Sequence, residues 1–233
     1  MAKKAWSRLP MPRRVERTLD VALDRALAVQ RPVVLNYLHR VQRKDPNLTP
    51  AQLVTRLERQ YLTAVVGIGG ASGAAAAVPG AGTAASVASG AAEIGAFVSA
   101  SAMYVLALAE LHGLPVSDPV VRRALVLSVL LGDGSAAALD GAGVADRHWA
   151  AVLTRSTSKD KIAGVNSHLG RLLIGRFGAR QSALLFGRAL PLGVGAAVGA
   201  GGNAALARGA IRSARRAFGP PPANFPKLVV DAR

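Results

Sequence analysis

The chain contains no cysteine. A disulfide framework, a thiolate metal site and a cysteine nucleophile are therefore excluded, while the redox compartment stays open. Aromatic residues amount to only 4%, so a core must be closed by close backbone approach rather than by large rings. Acidic residues are scarce as well: 13 Asp and Glu stand against 29 Lys and Arg, a net charge of +16. Runs of alternating β-branched residues are missing, and with them the signature of half-buried strands, which points to an all-α fold. The Walker pattern G-x-x-x-x-G-K-[ST] is also absent.

What is abundant is alanine and glycine, within a length of 233 residues that suits one main domain. The basic start, MAKKAWSRLPMPRR, is followed by VERTLDVALDR rather than by an apolar run, so a secretory signal is not expected and a cytoplasmic location is. Charge is unevenly spread. Residues 1–59 sum to +8, residues 60–154 to −3 and residues 155–233 to +11. Two cationic flanks around an apolar centre attract polyanions, either anionic lipid or nucleic acid. Arg outnumbers Lys 23 to 6, a bias that a GC-rich coding sequence also produces. The basic stretches carry few aromatics and no helix-turn-helix, zinc or RNA-binding signature, which argues against nucleic acid.

Start and stop signals divide the chain into a basic helical extension (1–48), a helical domain (49–218) and a Pro-rich tail (219–233) expected to be extended or disordered. In the extension, 12–30 reads as an amphipathic helix with Val15, Leu19, Leu23 and Ala26 on one face, and a second helical segment follows Arg31-Pro32 and ends before Pro46. Thr49-Pro50-Ala51-Gln52 predicts a capped helix start, with Thr as N-cap, Pro at the first helical position and Gln three residues on. Asp118-Pro119 repeats the signal for a helix stopped at Gly132. Further helices are expected over 146–155 and 158–177.

The stretch TAVVGIGGASGAAAAVPGAG, 63–82, has six glycines and no charge. As a dinucleotide loop it has Gly67 and Gly69 but Ser72 in the third place, no β-α-β alternation and a capped helix before it. As a membrane span it has the length, since no charge falls between Arg59 and Glu93 or between Glu93 and Glu110, but its first half is poor in strongly inserting residues and Glu93 would lie inside the second. As a hairpin of two helices it uses every feature. Gly69 and Gly73, then Gly82, Ser86 and Gly90, recur four apart and line a helix-packing seam of small residues, and Pro79-Gly80 reverses the chain. This predicts helices over 50–78 and 83–111, with Ser86 and Gly90 laid on Gly69 and Gly73. Residues 182–212 echo the pattern weakly, with a turn at Pro191-Leu192-Gly193 and Gly195 and Gly199 four apart.

The combination of GGASGAAAAVPGAG, DPVVRRALVLSVL and LPLGVGAAVGAGGNAALARGAIRSARRAF resembles the EcsC protein family over about 53–218. That resemblance implies a bacterial, membrane-associated helical protein without an assigned catalytic site. The expectation is thus a non-catalytic accessory or interaction protein, peripheral on the cytoplasmic face of a membrane, whose partner is an anionic membrane surface or a membrane protein. The uncharged turns Val78, Pro79, Gly80, Ala81 and Pro191, Leu192, Gly193 are its candidate membrane-contact tips. The competing expectation is a soluble helical module that holds a small hydrophobic ligand or a partner helix.

No cofactor or metal is expected. His39, His112, His148 and His168 are scattered without a ligand spacing. Ser156-Thr157-Ser158-Lys159 matches S-x-x-K but lacks its companion motifs and reads as a helix cap. Asp133, Asp140 and Asp146 sit in a glycine-rich stretch read as a solvated turn, without calcium-loop spacing. Glu93 must face water or a partner, with Arg208 or Arg212 as the expected cations.

Overall fold

Thr49 makes both halves of the predicted capping box. Its amide donates to Gln52 Oε1 at 2.8 Å, and the Gln52 amide donates to Thr49 Oγ1 at 3.3 Å. The computed structural model that shows this describes residues 31–76, 83–114, 116–144, 148–155, 158–187 and 194–226. At 73–76, 83–91, 159, 174, 176–187, 194–196 and 198 it describes the helix but not the side chain. The described residues form helices and no strand: α1 Arg31–Lys44, α2 Pro50–Ala76, α3 Thr83–Leu111, α4 Pro119–Leu131, a 3-10 turn Gly132–Ser135, α5 Ala136–Gly141, α6 Trp149–Arg155, α7 Lys159–Gly187 and α8 Val194–Phe218. The fold is all-α. The expected helix over 12–30 lies outside the described residues.

α3 and α4 form the core. Val98, Ala102, Val105, Ala107, Ala109 and Leu111 of α3 are fully buried, as are Leu125, Val126, Leu127 and Val129 of α4. A helix apolar all round is one surrounded by protein or lipid, and over 97–111 protein covers most of α3. At the start of α4 the Asp118 side chain accepts from the Val120 amide at 2.8 Å. At its end Gly132 takes φ 56°, a left-handed conformation that glycine adopts without strain.

α2 and α3 run antiparallel, with Tyr61 hydrogen-bonded to Ser101 and stacked on Tyr104. α8 lies antiparallel along α2: Arg215 meets Glu58, Asn203 meets Val65 and Gly199 meets Gly69. The described part of α7 packs instead on α4, where Asn166 Nδ2 donates to the Val120 carbonyl at 2.9 Å. The turn of the echo expected over 182–212 lies outside the described residues. α7 runs unbroken to Gly187, and α8 takes α2 as its main neighbour.

Two boundaries differ from the sequence reading. The helix expected over 146–155 begins at Trp149, because His148 has φ 60° and cannot continue a right-handed helix. Ala136–Gly141 is a short helix rather than part of an open turn. The described part of the tail, 219–226, contains no helix or strand and is held down. His112 Nε2 lies 3.3 Å from the Pro220 carbonyl, its ring packs on Phe218, and Phe225 is partly buried on the core.

The α2–α8 contact is set by a missing side chain. A Cβ on Gly69 would lie 2.5 Å from both Asn203 Nδ2 and the Gly199 carbonyl oxygen, and the latter is backbone that cannot swing aside. Gly67 has nothing within 4 Å of such a Cβ. Gly69→Ala should therefore destabilise by about 1–3 kcal/mol through overpacking. Gly67→Ala should stabilise by roughly 0.5–1 kcal/mol, because it only removes backbone freedom from an exposed helical position. Urea midpoints of the two variants, shifted in opposite directions, check this; equal shifts would contradict the close approach.

Candidate functional site

Of the predicted seam, Gly69 and Gly199 are brought together, across α2 and α8. The expected contact of Gly69 and Gly73 with Ser86 and Gly90 falls on side chains outside the described residues, as do Gly82 and the environment of Gly195. The candidate tips, Val78 to Ala81 and Pro191 to Gly193, also lie outside them. Their flanks are described. α2 ends at Ala76, α3 begins at Thr83 and α8 begins at Val194. Because α2 is antiparallel to both α3 and α8, these three ends share one pole of the molecule.

That pole is without charge in all three helices. None occurs in α2 after Arg59, in α3 before Glu93 or in α8 before Arg208. At about 1.5 Å rise per residue, the helix ends reach some 13–17 Å beyond Asn203, about half the hydrocarbon thickness of a bilayer. Glu93 marks the border. It is half-buried and accepts from Asn203 Nδ2 at 3.3 Å, so its described partner is an amide of α8 and not the expected arginine. Asn203, 1% exposed, also donates to the Val65 carbonyl at 3.1 Å.

Towards the other pole the polar groups are ionic. Glu58, buried on α2, receives Arg215 Nε at 2.8 Å and Nη2 at 2.6 Å. Glu110, 1% exposed at the end of α3, receives Arg31 Nε at 2.5 Å and Nη2 at 3.0 Å. A buried carboxylate without such a partner costs several kcal/mol, so each arginine is structurally required even where its own head is solvated. The hydrogen bonds to Glu58 and Glu110 hold both guanidinium groups further above their ordinary range. Sequence reasoning did not find these pairs, since nothing local signals a partner 157 or 79 residues away.

α8, the 3-10 turn, α5 and the start of α6 line an open cleft of about 600 Å³. Leu139, Val144 and Trp149 give it apolar wall. Asp133, Asp140 and Arg216 give it charge, and Arg216 Nη1 is 2.8 Å from Asp133 Oδ1. His148 also lines it, in its left-handed conformation, with the imidazole occupying the space that a Cβ on Gly219 would need. Asp133 and Asp140, read from sequence as members of a solvated turn, are exposed but border this cleft. The signal available for it was a Trp beside a His just after a glycine-rich stretch. Among the described residues no three side chains of metal-ligating type converge.

Comparison with protein-family models, with curated proteins and with solved structures finds no match. Two helical stretches, Ala92–Leu111 and Pro119–Gly141, are long and apolar enough to cross a membrane. Of these windows 72% and 50% are buried inside the protein, as core helices also are.

Burial gives the tyrosine pair a measurable consequence. Tyr61, 4% exposed, donates to Ser101 Oγ at 2.8 Å, and Ser101 donates onward to the Phe97 carbonyl. Desolvation pushes the Tyr61 hydroxyl from 10.0 up to about 12, and desolvation followed by the Glu58 charge pushes Tyr104 up as well. A raised folded-state value means that the unfolded chain loses these protons first. The stability they contribute is complete below pH 10 and is lost as pH rises towards 12. Tyr61 alone should account for about 3 kcal/mol of that loss. Denaturant midpoints taken across this range should fall steeply in the native protein and less so in Tyr61→Phe; parallel curves would refute the assignment.

Proposed function

We propose that the protein is a non-catalytic, membrane-associated accessory or interaction protein, peripheral on the cytoplasmic face, that applies its uncharged pole to an anionic bilayer. The observation that carries this reading is the shared pole of α2, α3 and α8, uncharged beyond Arg59, Glu93 and Arg208. These three Ala- and Gly-rich helix ends gain little by full insertion, but they carry no charge to desolvate when they enter the headgroup boundary. The net charge of +16 supplies long-range attraction to anionic lipid. The resemblance of 53–218 to the EcsC family points the same way. A peripheral rather than spanning role fits the burial of Ala92–Leu111 within the protein's own core. That same burial favours the second reading, a soluble helical module for a hydrophobic ligand or partner helix.

Flotation with phosphatidylcholine vesicles, with and without phosphatidylglycerol, separates the two. The protein should float with the anionic vesicles and be released by salt, because surface charge is screened within about 10 Å at 0.1 M ionic strength. An environment-sensitive dye on Ala81→Cys or Leu192→Cys should shift to the blue on binding. Failure to float supports the soluble module. Flotation with unchanged emission at both positions overturns the role of the pole.

A further inference from the structure

We propose that the cleft between α8, the 3-10 turn, α5 and Trp149 binds a small organic cation with an apolar body, such as an aryl or alkyl ammonium. Its volume, about 600 Å³, lies within the range of small-molecule sites. The fold places it beside Ser213 and Arg216, near the C-terminal end of α8 and so away from the uncharged pole at the α8 N-terminus. It stays open to solvent whether or not that pole meets a membrane, and its occupant is independent of the proposed membrane role.

Charge selects the ligand class. The chain carries +16, yet among the described residues the cleft is lined by two carboxylates, Asp133 and Asp140, against one guanidinium, Arg216. Arg216 is paired with Asp133 at 2.8 Å, both side chains being largely exposed. The carboxylate of Asp140 has no partner among the described residues and remains to receive a positive charge. An anion would have to displace Asp133 from Arg216 and then lie between two carboxylates. A cation meets Asp140 without breaking an existing pair. Trp149, packed on the core by part of its surface, offers the ring best suited to an ammonium group, and the exposed Ala136 beside it meets the apolar body.

The mouth is built rather than accidental. His148 holds φ 60° and Gly219 holds φ 78°, and the imidazole of the first fills the space left by the absent side chain of the second. A left-handed non-glycine residue is kept only where its surroundings fix it. Here it ends the approach to α6 and turns Trp149 into the wall.

Calorimetric titration of the full chain, without lipid, tests the proposal with benzyltrimethylammonium and with phenylacetate as its anionic counterpart. The cation should bind saturably in the submillimolar range and phenylacetate more weakly by about tenfold or more. Asp140→Asn should weaken the cation by roughly tenfold, whereas Asp160→Asn, an equal charge change at an exposed site outside the cleft, should leave it within about twofold. Ala136→Phe, which fills the cleft from an exposed helical position, should abolish binding while the far-ultraviolet spectrum stays native. No saturable binding of the cation, tighter binding of phenylacetate, or equal losses in the two aspartate variants would overturn the assignment.

Discussion

Gly69 has no side chain, and the Gly199 carbonyl and the Asn203 amide stand where its Cβ would be. This close approach fixes α8 against α2, and the rest of the layout depends on it. With Asn203 locked to the Val65 carbonyl and to Glu93, α8 has one axial position relative to both α2 and α3. That position brings Arg215 to Glu58 at one end and the three uncharged helix ends together at the other. A protein with 4% aromatics has few large side chains with which to define such a register. Backbone contact defines it instead, and a buried amide that must be hydrogen-bonded penalises any slip.

The ionic groups follow the same axis. Glu58 and Glu110 are buried, and each is met by an arginine from a distant part of the chain. Pairs of this kind add little net stability, because desolvation offsets most of the attraction. What they exclude is any arrangement that buries either carboxylate without its arginine. The α2–α3 hairpin is thereby tied to α1 through Arg31 and to α8 through Arg215, and the polar ties lie away from the Ala/Gly pole. Alternative packings of smooth, small-residue helices are numerous, so such polar ties are needed to choose among them.

Much of the fold was legible wherever the signal was local. The Thr49–Gln52 box, the Asp118 cap, the start at Thr83 and the stop at Gly132 are short-range chemistry, and each appears where the residues place it. The α6 boundary was misplaced because nothing in the string reveals that His148 is left-handed; that depends on Gly219, which is far away in sequence. The tertiary partner of Gly69 was missed for a related reason. A four-residue spacing of small residues says that a helix has a face for close packing, but not which helix will use it, and the spacing at Gly195 and Gly199 offered a second candidate as good as Ser86 and Gly90. Asp133 and Asp140 were visible as residues, whereas the cleft they border exists only once α8 has passed beside them.

The apolar stretches of α3 and α4 show why hydropathy alone leaves location open. A helix that fills the middle of a small-residue bundle must be apolar on every side, and that is also what lipid requires of a span. The two cases differ at the polar groups. Ser101, Glu110 and Ser135 are each held by a hydrogen bond to another group of the chain, Ser135 to the carbonyls of Ser128 and Gly132. α4 passes straight into a 3-10 turn with an exposed aspartate. A span through Pro119–Gly141 would carry Asp133 into hydrocarbon, at a cost of a few kcal/mol by insertion scales. In the folded chain that carboxylate is exposed beside Arg216, and half of the Pro119–Gly141 stretch is buried within the protein.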